Sequence, residues 1–425
     1  MREKYFDWLI NVNEKKIAIR SSFWNLCASL LNSFLTAILL FFITRLINSD
    51  VAGMFSIAAA ISYQCISIGA FGVRNVHAAD VNYEYSFKEY FYLRIFSGIL
   101  MYIFLVYMSF FQGYSLEKGM IVLTFGIFKS IDSLEDLYHG EYQRNERLDV
   151  AVILQTFRYL ISIFLFILAI VISKNLIFSC TIASFATIVI AFLQNKQIYY
   201  YIVKKKKDFS ISRLKSLLFI CLPICASNVI NMYIVNVPKY AIDATLTDTI
   251  QTYYGVLSMP VFTINLLSTV IYRPMITKLS ISWQNKRFSD FKKIMMRQLF
   301  IIFFLTMSIT LFGYIIGLKL LQIIYGVPIM QYMPAFIGLL IGGGLNTIAN
   351  FINVLLTIQR EQKVIFIAYI IDFIFCVLFA NSIVGHLHMN GASLIYIISN
   401  FILVFILTTR CIYIFLKERK NVYNG

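Results

Sequence analysis

The sequence predicts an all-α polytopic membrane protein with about twelve transmembrane helices. Hydrophobic residues occupy 59% of the 425 positions and charged residues only 14%, whereas ordinary soluble proteins carry roughly 25% charged residues. The hydrophobic residues also occur in blocks long enough to cross a bilayer, which takes roughly 20 residues of helix. Blocks of this length indicate helices, because the strands of membrane barrels are shorter and alternate in polarity.

Twelve such blocks follow one another along the chain, separated by short polar connections. They cover residues 23–46, 53–72, 89–111, 119–139, 150–173, 175–198, 214–238, 250–272, 298–318, 333–357, 364–384 and 391–415. Every connection on the predicted outer side is too short to hold a separate domain. We therefore expect the function to lie among the helices.

The positive charge of the chain is concentrated on one side of the predicted membrane region. The net charge is +16. If the N-terminus is cytoplasmic, few of the lysines and arginines fall on the outer side, and these are Arg45, Lys118, Lys174, Lys239 and Lys319. By the positive-inside rule, this bias predicts that both termini are cytoplasmic. The same distribution argues against a nucleic-acid partner, because the charge follows the membrane topology, and it suits contacts with anionic membrane lipids.

A basic loop at residues 199–213 separates the predicted spans into two sets of six. We therefore expect an N-terminal six-helix half at 1–200, a basic cytoplasmic linker at 201–213 and a C-terminal six-helix half at 214–425. Because six spans separate the halves, both would have the same orientation in the membrane. This arrangement predicts a parallel repeat about an axis along the membrane normal.

Short matches at one constant offset support the repeat. Asn32 and Asn231 are 199 positions apart, and so are Arg74 and Arg273. In secondary transporters built from such repeats, the substrate path lies between the halves near the middle of the membrane. Arginine binds phosphate oxygens in bidentate fashion, so the two arginines, each near the inner end of a span, are candidates for binding an anionic substrate. The alternative is simple anchoring at the membrane interface.

Charged residues within the predicted spans are further candidates, because they are costly in lipid and usually mark pathways or paired networks. In the span at 119–139, Lys129, Asp132 and Asp136 share one helical face. Arg94 and Arg158, in the neighbouring spans, lie at similar depth and could neutralise the two carboxylates. The sequence leaves open whether these residues form a structural ion-pair network or line a hydrophilic path.

Asp372 is the clearest candidate for a functional charged residue in the second half. It lies in the middle of its span, and the same span contains no basic residue. A lone carboxyl group at that depth could carry a proton for ion coupling. The alternative is a protonated side chain that hydrogen-bonds to a neighbouring helix.

Amide side chains form a last set of candidates. Asn32, Asn231, Asn346 and Asn350 lie on polar faces of three predicted spans. Amides can bind sugar hydroxyls, or they can join neighbouring helices. Gly342–Gly344, in the same span as Asn346, looks like a bending point.

Enzyme motifs are absent from the sequence. There is no Walker A loop, no HExxH and no GxSxG. None of the seven cysteines stands in a CxxC pair, so we expect no disulfide, no metal and no cofactor. We also expect that the protein is not an enzyme, and that any energy for transport comes from ions or from the substrate gradient.

Several segments resemble the Wzx-type polysaccharide repeat-unit flippases of the MOP superfamily, which also includes the MATE drug exporters. These segments are FSIAAAI and GAFGVRN around the second span, EDLYHGEYQRNERLDVA after the fourth, and YYGVLSMPVFTINLL with IYRP in the eighth. The resemblance covers nearly the whole chain and implies a MATE-like fold.

The resemblance also implies a function. Its members move an oligosaccharide repeat unit linked to undecaprenyl pyrophosphate across the bacterial plasma membrane by alternating access through a cationic cavity. Partners would be this lipid-linked oligosaccharide, and a polysaccharide polymerase with its chain-length machinery. Arg74, Arg94, Lys129, Arg158 and Arg273 are the candidate cations.

Three other classes are weighed against this one. A MATE-type exporter shares the fold, but its sites for cationic drugs are expected to be acidic and aromatic. A major-facilitator transporter is expected to carry a GxxxDRxGR-like inner loop, which residues 73–88 lack. A polysaccharide polymerase or ligase is expected to have a long outer loop with catalytic residues, and none is present.

Overall fold

The computed structural model describes residues 9, 14–80, 82–202 and 208–423, and these residues form helices joined by short turns. The helices of the first part of the chain are α1 (Glu14–Leu46), α2 (Ser49–Ala70), α3 (Val73–Ala79), α4 (Phe87–Phe110), α5 (Leu116–Arg144), α6 (Leu148–Ser173), α7 (Leu176–Ile202) and α8 (Ile211–Thr245). Those of the second part are α9 (Asp248–Leu257), α10 (Met259–Tyr272), α11 (Ile276–Gln284), α12 (Phe288–Phe312), α13 (Leu318–Tyr325), α14 (Met333–Ile358) and α15 (Gln362–Tyr423). Single turns of 3₁₀ or π-helix connect several of these.

The predicted membrane architecture is confirmed. Ten helical stretches of the described residues are long and apolar enough to cross a membrane. One of them, α15, consists of two helices joined at His388, whose φ of 51° and ψ of −129° are not helical, so that it contains two predicted spans. The helix α5 is long enough to span but carries too many charges to be counted among the ten. With these two additions, the helices match the twelve predicted spans.

Two compact units make up the fold, Met1–Met232 and Tyr233–Gly425. The division between them falls within α8, so the first part of this helix packs with the N-terminal unit. The predicted boundaries at 200 and 214 stay a prediction, and residues 203–207 of the predicted basic linker lie outside the described residues.

In the first unit, α5 lies against α2, α4, α6 and α7. The middle of α2 consists of small residues, which allow close packing. Ala58, Ala59 and Ala60 are fully buried there. The consequence is that α5 is surrounded by other helices on most sides, and its charged residues must find partners within the protein.

In the second unit, α14 lies against α10, α12 and α15. At Gly342–Gly344, where the sequence suggests a bending point, α14 is continuous. These glycines are points of close packing. A Cβ atom would lie 2.6 Å from Tyr396 if added to Gly342, and 2.7 Å from Val261 if added to Gly343. Small residues at such positions let helices approach closely in membranes, which gives this glycine run a role in packing.

A similar contact between α4 and α5 gives a test of the packing. A Cβ atom on Gly119 would overlap the carbonyl oxygen of Ser109, which is backbone and cannot rotate away. We expect Gly119→Ala to destabilise the protein by about 1–3 kcal/mol, the usual cost of overpacking, and to lower its melting temperature in detergent. Gly98→Ala is the matched control, because nothing lies within 4 Å of a Cβ there. Equal melting temperatures for the two variants would contradict the close approach of α4 and α5.

Candidate functional site

The charged face of α5 carries two groups of ion pairs inside the first unit, which together we call the network. Asp132 belongs to the first group and contacts two cations. Lys129, one turn earlier on the same helix, forms an ion pair with it, and the Arg158 Nη2 from α6 lies 2.6 Å from its Oδ1. The Lys129 ammonium also donates to the side-chain oxygen of Asn32 at 3.1 Å. Its nitrogen lies 5.3 Å from the ring centre of Tyr63, a distance that allows a cation–π contact.

Arg158 bridges two carboxylates at the centre of the cluster. Besides Asp132, its Nε lies 2.8 Å from Oε2 of Glu135, and both side chains are fully buried. His139 approaches the same Glu135 oxygen at 3.7 Å, and the Asn195 amide from α7 lies 3.5 Å from its other oxygen. Three helices therefore meet at Glu135.

Asp136 is the carboxylate of the second group. Arg74, at the start of α3, approaches it at 2.7 Å, and Arg94 from α4 approaches it at 3.6 Å. Arg94 also donates to the carbonyl oxygen of Gly69. The side chain of Arg74 is 31% exposed and that of Asp136 18%, whereas Arg158 and Glu135 have no exposed surface. The network thus has an open edge at Asp136 and a closed interior at Glu135.

Arg94 and Arg158, expected to neutralise the two carboxylates, contact Asp136 and Asp132 respectively. Glu135, on the same helix, also belongs to the network. The cluster holds four cations, Arg74, Arg94, Lys129 and Arg158, against three carboxylates. This near-balance has a physical reason, because an unpaired buried charge costs several kcal/mol. An anion entering here meets guanidinium groups that already have partners.

A second buried cluster at the end of α5 lies beyond the predicted span and was missed from the sequence. Arg144 contacts Glu141 at 2.6 Å and Asp80 at 3.2 Å. His77 lies 2.7 Å from the same Glu141 oxygen and stacks on Tyr90 with 3.8 Å between ring centres. Burial lowers the pKa of His77, although Glu141 acts in the opposite direction. The i,i+3 spacing of Glu141 and Arg144 was the available signal, since it places both on one helical face.

Asp372 is fully buried in the second unit, in the first arm of α15. The hydroxyl of Ser399, from the second arm, donates to its Oδ2 at 2.7 Å, and the Cys376 sulfur lies 3.8 Å from Oδ1. Within the described part of the chain, no lysine, arginine or histidine pairs with it. The hydrogen bond expected under the structural alternative is present, and it leaves the proton-carrying role open.

The remaining candidates are spread along the chain. Asn346 and Asn350 lie on one face of α14, with 3.5 Å between their side-chain amide atoms. Asn231 is partly exposed in α8. Arg273 is exposed in the 3₁₀ turn after α10, and no carboxylate among the described residues pairs with it. Arg74 and Arg273 therefore have different surroundings, despite their equal offset in the sequence.

The fold is shared with transporters of known structure. A MATE transporter in its bent conformation superposes with a TM-score of 0.60 and 14% identity, covering 97% of this chain and 98% of the other. The Vibrio cholerae MATE transporter VcmN in the bent form gives 0.58 and 12%, over 96% and 97%. A MOP superfamily transporter from Pyrococcus furiosus, described as having a binding pocket of reversed polarity, gives 0.59 and 13%, over 98% and 97%. The MATE-like fold predicted from the sequence is confirmed.

One curated relative adds a biological context. The capsular polysaccharide biosynthesis protein CapF of Staphylococcus aureus is 22% identical over 308 residues, which cover 70% of this chain and 75% of the relative. No protein-family model matches the chain.

The bridging position of Arg158 yields a stability test. We expect Arg158→Gln to destabilise the protein by about 3–5 kcal/mol, because it leaves Glu135 buried without its guanidinium partner. The measurement is the melting temperature and the monodisperse fraction after solubilisation. The double variant Arg158→Gln/Glu135→Gln should recover part of the loss, because it removes both members of a fully buried ion pair. Arg273→Gln is the control, and equal stability of Arg158→Gln and this control would contradict a structural role for the network.

Proposed function

Because this chain has the fold of MOP superfamily transporters, we propose that it is a flippase for a lipid-linked oligosaccharide. Its substrate would be a sugar repeat unit on undecaprenyl pyrophosphate, moved by alternating access across the bacterial plasma membrane for surface polysaccharide biosynthesis. The observation that carries the proposal is the similarity of a transporter-fold chain to a capsular polysaccharide biosynthesis protein over 70% of its length.

The distribution of cations supports an anionic substrate. Arg273 is exposed and has no carboxylate partner among the described residues, and Arg74 is partly exposed at the open edge of the network. We propose that both contact the pyrophosphate as it enters from the cytoplasmic side, since guanidinium groups bind phosphate in bidentate fashion. Both termini would then be cytoplasmic, as the charge bias predicts.

The buried cations would act differently from the exposed ones. Arg94, Lys129 and Arg158 already contact carboxylates, so each would bind substrate only by exchanging a carboxylate for a phosphate oxygen. Such an exchange keeps the charge balance nearly constant, which limits its cost in a low-dielectric interior. Asp132 and Asp136 are the carboxylates that would be released.

The sugar portion would need polar groups without charge. Asn231, Asn346 and Asn350 are partly exposed amides on α8 and α14, and we propose them as contacts for sugar hydroxyls. Asn32 is less available, because its side-chain oxygen already accepts from Lys129 and, at 3.2 Å, from the hydroxyl of Tyr159. A polysaccharide polymerase and its chain-length machinery would be the next proteins to act on the flipped unit.

A MATE-type exporter of a small molecule is the second candidate, favoured by the likeness to MATE structures. A site for cationic drugs needs carboxylates that are free to face the cation. In this chain the α5 carboxylates contact arginine or lysine, which favours the flippase.

A deletion strain tests the proposed function. We expect cells without this protein to lose surface polysaccharide and to accumulate undecaprenyl-pyrophosphate-linked repeat units in the inner leaflet, because synthesis continues while export stops. The measurement is mass spectrometry of extracted lipids, combined with the accessibility of the sugar to an added lectin in spheroplasts. Complementation with the intact gene is the control. Normal surface polysaccharide, with increased sensitivity to cationic compounds, would instead identify a drug exporter.

The proposed ion coupling through Asp372 is tested separately. We expect Asp372→Asn to abolish the response of reconstituted transport to a pH gradient while the amount of folded protein stays normal, because the amide keeps the shape but cannot bind a proton at this site. Ser399→Ala is the matched control, since it removes the hydrogen bond to Asp372 but keeps the titratable group. A full pH-gradient response in Asp372→Asn would exclude this residue as the proton carrier.

A further inference from the structure

A basic cavity lies in the second unit, at the turn between α11 and α12. Its volume is about 530 Å³. It is lined by residues of this turn, the first turn of α12 and the end of α15: Lys286, Arg287, Phe288, Ser289, Asp290, Lys292, Phe415 and Arg419. We call this the basic cavity. It belongs neither to the ion-pair network of α5 nor to the surroundings of Asp372.

The charge of the basic cavity is strongly one-sided. Lys286, Arg287 and Lys292 have no carboxylate partner among the described residues, and Asp290 is the one acidic residue in its lining. A second cavity of about 310 Å³ shares Asp290 and adds Lys278 and Lys293. The start of the 25-residue helix α12 adds a partial positive charge, because Arg287 at its N-cap makes no side-chain capping hydrogen bond. An anion would be attracted to this position.

Two aromatic side chains line the basic cavity. They are Phe288 and Phe415, with 5.8 Å between their ring centres. Trp283 packs nearby, with its ring centre 5.6 Å from that of Phe288 and 5.1 Å from that of Phe291. Tryptophan and other aromatic residues are enriched where a protein meets the headgroup region of a bilayer. A lining that combines cations with aromatic rings suits a ligand with a phosphate at one end and an apolar body at the other.

We propose that the basic cavity binds the phosphate of an anionic phospholipid in the membrane around the protein. The three unpaired cations would contact the phosphate, and Phe288 and Phe415 would contact the glycerol and the first acyl carbons. A soluble phosphate compound shares the charge but would leave these aromatic rings without a ligand contact. This site is independent of the transported substrate, so its test does not depend on transport.

Trp283 provides a local probe for the test, because the chain contains only three tryptophans. In a Trp8→Phe/Trp24→Phe background, the protein is placed in nanodiscs that contain either brominated phosphatidylglycerol or brominated phosphatidylcholine. Bromine quenches tryptophan fluorescence at short range. We expect the anionic lipid to occupy the site with a preference of about tenfold, since each basic residue near a membrane surface adds substantially to anionic-lipid binding. Lys286→Gln/Arg287→Gln/Lys292→Gln should remove this preference and keep the melting temperature.

The matched control is Lys88→Gln/Lys215→Gln/Lys363→Gln, which removes three exposed lysines on the predicted cytoplasmic side outside the cavity. Loss of the preference in the cavity variant, with retention in the control, supports the site. Equal loss in both variants would mean diffuse surface attraction and overturn it, as would equal quenching by both lipids. Displacement of the quenching lipid by millimolar inorganic phosphate would identify a soluble anion and overturn the lipid assignment. If the triple variant does not fold, the single Arg287→Gln and Lys292→Gln variants must each reduce the preference.

Discussion

A buried guanidinium group needs carboxylates beside it, and the first unit is arranged around this requirement. Arg158 has no exposed surface and contacts both Asp132 and Glu135. Because these acids belong to α5 and the arginine belongs to α6, the two helices cannot separate without leaving charges unpaired in a nonpolar interior. Asn195 ties α7 to the same Glu135. The polar contacts thus fix how α5, α6 and α7 are aligned along their axes. Apolar contacts are not directional and would not fix this alignment alone.

The network is nearly neutral, so the number of buried arginines and lysines overstates the positive charge of the interior. A count of buried arginines and lysines suggests a strongly positive cavity, but most of that charge is matched by carboxylates one hydrogen bond away. The excess is located at the exposed residues, of which Arg273 is the clearest. In the function we propose, attraction of an anion would depend first on the exposed Arg273 and on Arg74 at the open edge of the network, whereas the fully buried Arg158 links the helices.

Much of the architecture could be predicted, because membrane-spanning helices can be recognised in a sequence as long apolar blocks. Neutralisation of Asp132 and Asp136 by Arg94 and Arg158 could also be predicted, since charges at equal depth in neighbouring spans have few other partners. The cluster of His77, Glu141 and Arg144 was missed, because it lies where α5 continues past its apolar block and the i,i+3 spacing of Glu141 and Arg144 was the one signal that marked it. Gly342–Gly344 is a related case: a run of glycines permits a bend, close packing or both, and only the neighbours Tyr396 and Val261 show that these glycines pack closely.

The contact between Asp372 and Ser399 joins the two arms of α15 on either side of the break at His388. A hydroxyl group can both donate and accept, so this link differs in kind from a salt bridge. If the carboxyl group gains a proton, it can become the donor and the serine the acceptor, and the arms stay connected. A lysine or arginine in place of Ser399 would instead lose its ion pair when Asp372 became neutral on protonation. The hydrogen bond between the two arms of α15 can therefore persist in both charge states of Asp372. Protonation of Asp372 would not by itself separate the arms, so a movement triggered by a proton would begin at another position.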